Sequence, residues 1–399
     1  MKKYFAIFSF IITVVCLFSS SLTEWETLSM GFFIYFFLEF LDNLSKRIVI
    51  MDISILMAFF TCLIMPIVFY HFYTHDNRLA RIWGKYMPIS SEDYFSFALP
   101  AILSMTLGLR MPLGNKEVNR NPVKYMDNVR NYLQKNSNLG LMLIGVGMVS
   151  GLLDFLSPSS LKYVFYLLDH LTYVGVFYVI YSPSKRKNLI VPGVILLMIG
   201  QAIITGMFGE LIFMLACSLV LILLGKKITF QRKLNYAIGG VFLIVIIQSV
   251  KLDYRKRSWV EGTGADPLYF AELISNRVSD PSTLLEENSM FKTSVRMNQG
   301  WVVAMTMKQV PSRYPFAYGE TIGESVGAAI VPRFLWPDKP EAGGRANLKR
   351  FWGFNLVGYS MNIGPLGEAY GNFGVVGGIF YMFFYGLFFV NTGHSININ

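Results

Sequence analysis

Hydrophobic positions along this chain fall in long unbroken runs, without the regular polar interruptions of a surface helix or strand. Residues 48–70, 189–207, 211–224 and 236–250 are the clearest. Each is about long enough for a helix to cross hydrocarbon, where every backbone N–H and C=O must be bonded within the segment. The same reading predicts about ten helices, at 4–22, 28–41, 48–70, 94–109, 139–155, 161–181, 189–207, 208–224, 235–250 and 373–390. The fold class expected is an all-α polytopic membrane protein. One stretch breaks the pattern: residues 251–371 are polar and rich in Arg and Pro, which no bilayer accepts as a span. The expected organisation is a helical bundle over 1–250, a large extracytoplasmic loop region over 251–371 that holds the chemistry, and a last helix with a short tail over 372–399.

Charge sets the orientation. With the N-terminus in the cytoplasm, the inside loops are 42–47, 110–138, 182–188 and 225–234, and they carry most of the Lys and Arg of the short loops between spans. The short outside loops hold little beyond Arg78, Arg81 and Lys85. Helix parity and the positive-inside bias agree, and they place 251–371 outside; long loops cross regardless of their own charge. The net charge of +10 therefore reflects membrane topology rather than nucleic-acid binding. The chain is 53% hydrophobic and 15% charged, with a mean hydropathy of +0.45, unlike a soluble enzyme of 399 residues. Cys16, Cys62 and Cys217 all lie in apolar runs without CxxC spacing, so no disulfide framework or zinc site is signalled. The start, Met1-Lys2-Lys3 followed by apolar residues, resembles a signal peptide but lacks a small-residue cleavage site; it is expected to stay as the first helix.

Within 251–371 three helices are expected. Asp266-Pro267 caps and starts the first, Ser294 caps a second carrying Trp301, Val302 and Met305, and residues 320–330 form the third, ended by Pro332. Between the third helix and the last span runs Val331-Pro332-Arg333-Phe334-Leu335-Trp336-Pro337-Asp338-Lys339-Pro340. Its prolines restrict the backbone and remove N–H donors. Such a stiff segment with two cations suits a phosphate at the headgroup level, since Arg binds phosphate bidentately and keeps its proton; a structural turn with solvated charges fits the same residues. Ionisable groups inside spans are functional hypotheses by default. Asp169 and His170 are such a pair, with Asp154 or a loop residue as a partner for His170. Glu39 marks a poor span, and Glu210 follows a Gly-rich turn where it could meet the active loop. His71 and His75 have metal-binding spacing but no third ligand, which favours packing at the headgroup level. Gly147 with Gly151, and Gly374 with Gly378, fit small-residue helix packing.

The segment 331–340, the pair Gly343-Gly344 and the run Gly364-Pro365-Leu366-Gly367-Glu368-Ala369-Tyr370-Gly371-Asn372-Phe373-Gly374 resemble the late outer loop of bacterial Wzy-type O-antigen and capsule polymerases. Many short-looped spans before one large outer loop also match that family. It departs from them in ending on a polar tail at 391–399, without a further span. The resemblance implies polymerisation of undecaprenyl-pyrophosphate-linked oligosaccharide repeat units at the outer face of the cytoplasmic membrane, without metal, nucleotide or other cofactor, alongside a chain-length regulator and a flippase of the same pathway. A hydroxyl of the acceptor sugar attacks and a lipid pyrophosphate leaves, so the site needs a base and a stabiliser of departing charge. On that reading Arg333 holds the pyrophosphate and Lys339 supports it. Arg296 and Arg313 bind the other phosphate or sugar hydroxyls, Trp336 offers an aromatic face, and His170 is a further substrate contact. Glu320, Glu324 and Glu368 are the base candidates, or orient an arginine. An O-antigen ligase and a polysaccharide transporter or flippase are the alternatives.

Overall fold

A computed structural model describes residues 2–19, 21–47, 49–111, 127–128, 131–132, 134–153, 161–181, 187–262, 264, 266–331, 335–336, 338, 340, 344–355 and 361–394. Among these the chain is helical, with no strand beyond an isolated bridge between Leu44 and Arg47. The helices are α1 (Lys2–Ser19), α2 (Glu24–Asn43), α3 (Ile50–Phe59), α4 (Met65–His71), α5 (Arg78–Trp83), α6 (Ser91–Arg110), α7 (Ser137–Leu153), α8 (Lys162–Asp169), α9 (Leu171–Tyr181), α10 (Lys187–Thr205), α11 (Gly209–Leu223), α12 (Phe230–Arg255), α13 (Pro267–Ser279), α14 (Glu287–Met297), α15 (Gly300–Gln309), α16 (Glu320–Ile330), α17 (Arg345–Trp352) and α18 (Gly364–His394).

Four helical stretches are long and apolar enough to cross a membrane: Ile50–His71, Lys187–Thr205, Phe230–Ser258 and Gly364–Phe389. Four shorter apolar helices cover Tyr4–Leu17, Asn138–Leu153, Val164–Ile180 and Gly209–Leu223. The two remaining expected segments fall in α2 and α6, each of 20 residues, with carboxylates in their first turns. By packing, the chain divides into two compact units, one of Met1–Asp42, Val49–Lys116 and Met290–Asn399, the other of Asn43–Ile48 and Glu117–Ser289. The bundle and outer loop expected from sequence are topological regions and do not coincide with these packing units.

In the first unit α6 is the centre. Tyr94, Phe95, Phe97, Ala98, Leu99, Ala101 and Ile102 are all buried, so the helix is covered on nearly every side. α18 lies along it in parallel. Phe97 meets Tyr370 and the Gly378 position, while a Cβ on Gly108 would strike the Phe383 carbonyl and one on Gly386 would strike that of Met105. Only small residues permit so close an approach. Gly374 does something different from the small-residue packing expected of it: its φ of 68° and ψ of −158° break α18 into two pieces, a conformation that favours glycine.

Two polar layers brace this unit. At one end Glu26 accepts from Ser91 Oγ at 2.6 Å and pairs with His71 Nε2 at 3.0 Å. At the other, Arg110 reaches Glu39 at 2.7 Å and Asp52 at 3.5 Å. Glu39 therefore has a cation, which is how an apolar helix carries a buried carboxylate. The layers lie about 28 Å apart by the helical rise over residues 52–71, close to the hydrocarbon thickness of a bilayer.

Between the layers the helix 50–71 loosens into a π turn, Phe60–Ile64, just before Pro66. Proline has no N–H to return to the preceding turn. The Cys62 carbonyl is instead bonded by the Tyr94 hydroxyl at 2.6 Å, and the Thr61 carbonyl by the Gln299 N–H at 3.1 Å. The break therefore docks the start of α15.

The second unit is built on an antiparallel pair, α7 against α8 and α9. Gly140 approaches Gly175, Gly147 approaches Thr172 and Gly151 approaches Asp169. The buried cluster Ile144, Val176, Val179, Met198, Phe208, Leu211 and Tyr254 joins these helices to α10, α11 and α12. α10 ends at a turn through Gly206, whose carbonyl accepts from Arg255 Nε at 2.9 Å while Tyr254 Oη donates to Ile203 O at 2.7 Å. A cation on exposed carbonyls is the favoured cap for a helix C-terminus.

Candidate functional site

Residues 266–331 fold largely as their signals predict. Asp266 caps α13 by accepting from the Tyr269 N–H, and α16 occupies 320–330. The second start is corrected: Ser294 lies inside α14, and the break falls at Asn298-Gln299, where Asn298 Oδ1 accepts the Trp301 N–H at 3.0 Å. An asparagine at that position satisfies the first unpaired donors of α15.

This break opens a cavity of about 430 Å³ in the first unit, lined by Lys85, Arg296, Asn298, Gln299, Trp301 and Asn362 among others. Lys85 Nζ sits 3.3 Å from the centroid of the Trp301 ring. Trp301 is itself fixed, donating Nε1 to the Tyr86 carbonyl at 3.1 Å and packing edge-on against Trp352. Asn298 is 3% exposed, and its amide nitrogen points to Met87 Sδ. Burial pushes the Lys85 ammonium down to about 8, because a low-dielectric wall disfavours the charged form. In the polar layer with His71 and Ser91, Glu26 moves the other way. Burial alone would raise its pKa, but hydrogen bonds from Ser91, His71 and Thr23 hold the carboxylate below its ordinary range. The cavity thus carries two cations, three amides of which one is buried, and a rigid indole. That combination can bind an anion and a sugar face together.

A second polar cluster lies where α16, α17 and the first piece of α18 meet. Glu368 accepts from Thr321 Oγ1 at 2.9 Å and from Asn347 Nδ2 at 3.2 Å. Asn372, fully buried, donates to Thr321 Oγ1 and to the Glu368 carbonyl, and accepts the Gly319 N–H at 2.8 Å. Glu320 pairs with Arg350 Nε at 3.0 Å, and Arg350 also donates to the Pro315 and Phe316 carbonyls. Gly374 supplies the bend that lets this short piece leave the line of the last helix.

Of the residues singled out from sequence, Arg296 lines the cavity. Glu320 and Glu368 join the α16–α18 cluster. Glu324 is exposed on α16, one turn from Glu320, and Arg313 is exposed in the turn after α15. Trp336 is half-buried, with its ring next to Gly327. Arg333, Lys339 and Asp154 lie outside the described residues. His170 belongs to the second unit, where its partner is Glu210 at 3.9 Å. Glu210, expected to meet the active loop, is bonded there by Tyr166 and Tyr173. His71 pairs with Glu26 and His75 packs edge-on against Tyr86.

Sequence reading missed Lys85, Asn298, Arg350 and Asn372 as site residues. Asn372 carried a signal, one helical turn after Glu368 inside the glycine-rich run. Lys85 carried none, since its partner Trp301 is remote in sequence.

No curated protein and no solved structure matches the chain. Residues 120–393, well over half of it, match the family described as a domain of unknown function, DUF8712, and the chain belongs to that family.

Proposed function

We propose that this protein is a membrane-embedded, metal-independent glycosyltransferase that polymerises oligosaccharide repeat units carried on undecaprenyl pyrophosphate. The observation that carries the reading is the cavity of Lys85, Arg296, Asn298 and Trp301. A pyrophosphate needs cations that stay charged near neutral pH, and a sugar needs a fixed aromatic face. The cavity is lined by Phe69 and by Gln299, which bonds Thr61 about 12 Å from Phe69 along the helix. A lipid-linked pyrophosphate entering from the headgroup level would meet such a pocket side-on. Irregular backbone at that depth is tolerated where it lines a cavity.

The topology belongs to the same proposal: about ten crossings of the inner membrane, N-terminus in the cytoplasm, residues 251–371 opening to the outer face. The parallel run of α6 and α18 supports it. Two parallel spans require an odd number of crossings between them, as the five expected at 139–155, 161–181, 189–207, 208–224 and 235–250 provide. Glu368, oriented by Thr321 and Asn347, is the base for the acceptor hydroxyl. The hydroxyl oxygen bonds to the donor sugar's anomeric carbon, the bond to pyrophosphate breaks, and Glu368 takes the proton. Arg333 and Lys339 add charge at the leaving group on the strength of the motif.

The test is the surface glycan ladder of a deletion strain complemented with Lys85→Ala/Arg296→Ala or with Glu368→Gln. Glycan limited to a single repeat is the expected result. Full-length ladders from both variants would sink the assignment, and loss of all long glycan without single repeats would point to a ligase.

A further inference from the structure

The second unit holds a cavity of its own, about 190 Å³, well above the space one water requires. Its polar lining is Tyr166, Asp169, Tyr173, Gln201, Thr205 and Glu210, and among the described residues no lysine or arginine lines it. Glu210 is held from two sides: Tyr166 Oη donates to Oε1 at 3.4 Å and Tyr173 Oη to Oε2 at 3.2 Å. His170, the turn residue between α8 and α9, donates Nδ1–H to the Tyr166 carbonyl at 2.7 Å and turns Nε2 toward Glu210. Its ring packs at a tilt against Tyr166, 4.2 Å between centroids, and edge-on against Tyr173 at 5.0 Å. The result is a rigid aromatic wall carrying an oriented carboxylate, beside a second carboxylate and an amide.

We infer that this cavity is a separate binding site for an uncharged sugar ring. Carboxylates and a carboxamide accept from vicinal hydroxyls, and tyrosine rings cover the C–H face of a pyranose. An anion is disfavoured, because the described lining supplies two carboxylates, Asp169 and Glu210, which repel a further negative charge. The inference takes its substrate class from the proposed glycosyltransferase reading, but the site is distinct from the cationic cavity of the first unit in residues and in charge.

The test uses full-length protein in lipid nanodiscs and the methyl glycosides of glucose, galactose, mannose and N-acetylglucosamine as probes, read by saturation-transfer NMR. At least one glycoside should bind. Its Kd should rise ten-fold or more in Glu210→Gln and in Asp169→Asn, and about three-fold in Tyr173→Phe, which removes one hydroxyl and decides the matter if the carboxylate variants do not fold. Lys85→Ala/Arg296→Ala should leave it unchanged. Absence of glycoside binding would overturn the inference, as would equal binding by the three second-unit variants. Stabilisation by sodium alone, lost in Glu210→Gln, would replace the sugar with a cation. Glycoside binding that persists in a protein whose cationic-cavity variants still make full ladders would defeat the glycosyltransferase reading and leave this site standing.

Discussion

The two units solve one problem, polar groups within apolar helices, with different chemistry. In the first, polar groups are paired across long stretches of sequence: Thr61 with Gln299, Cys62 with Tyr94, Glu26 with His71 and Ser91. In the second, polar side chains gather where helices end or turn, at His170 and at Gly206. The charge differs accordingly. The first unit's cavity is cationic and amidic, the second's acidic and tyrosine-lined. An anion therefore suits the first cavity and not the second.

That contrast can be broken most sharply by removing both cations of the first cavity. Each charge-assisted contact to phosphate contributes about 1.5–3 kcal/mol, so Lys85→Ala/Arg296→Ala should weaken pyrophosphate affinity by roughly 100-fold or more, measured by calorimetry on the full-length protein. Glycoside binding by the second unit is the internal control. Next in size is Gly374→Ala. The φ of 68° with ψ near −158° excludes a Cβ, and a side chain there would also press on the Phe316 ring. A loss of about 1–3 kcal/mol is expected, seen as a lower thermal unfolding midpoint. Tyr94→Phe leaves the Cys62 carbonyl without its donor and should destabilise the first unit by about 1–3 kcal/mol, with hydrogen exchange rising around Pro66 and α15 but not in the second unit.

A pH titration gives a smaller effect with a definite sign. The folded chain releases the Lys85 proton near 8 and the unfolded chain near the ordinary 10.5. Between those values the unfolded state binds more protons, so stability from this group rises with pH. Anion binding runs the other way: as Lys85 loses its charge, pyrophosphate affinity should fall by up to about ten-fold per unit above pH 8, and the slope should flatten in Lys85→Ala. The smallest effect belongs to Glu320→Gln. Its carboxylate is 51% exposed against Arg350, and an exposed pair of this kind contributes under about 1 kcal/mol. A larger drop in glycan chain length than in stability would move Glu320 into the chemistry.

Much of the helical layout was legible in the chain. Apolar runs found helices because a helix is the way to bury continuous apolar backbone, and Asp266-Pro267 marked the start of α13 because aspartate caps and proline fits a first turn. Ser294 misled for the same reason. It is a good cap by type, but Asn298 holds the donor because the chain must turn where Gln299 meets Thr61. Arg296 and Glu368 were legible through their charge and neighbours. Lys85 was not, because a lysine in a short loop has many uses and its partner Trp301 is remote in sequence.

By itself the sequence determined that this chain is helical, that it holds segments long and apolar enough to cross a bilayer, and that its polar groups concentrate in the stretch before the last of them. These follow from local composition, which acts residue by residue. Tertiary structure alone decided which of those groups share a cavity. A buried carbonyl, carboxylate or ammonium must find a partner wherever packing brings one, and the partners of Thr61, Glu26 and Lys85 come from helices and loops far away along the chain.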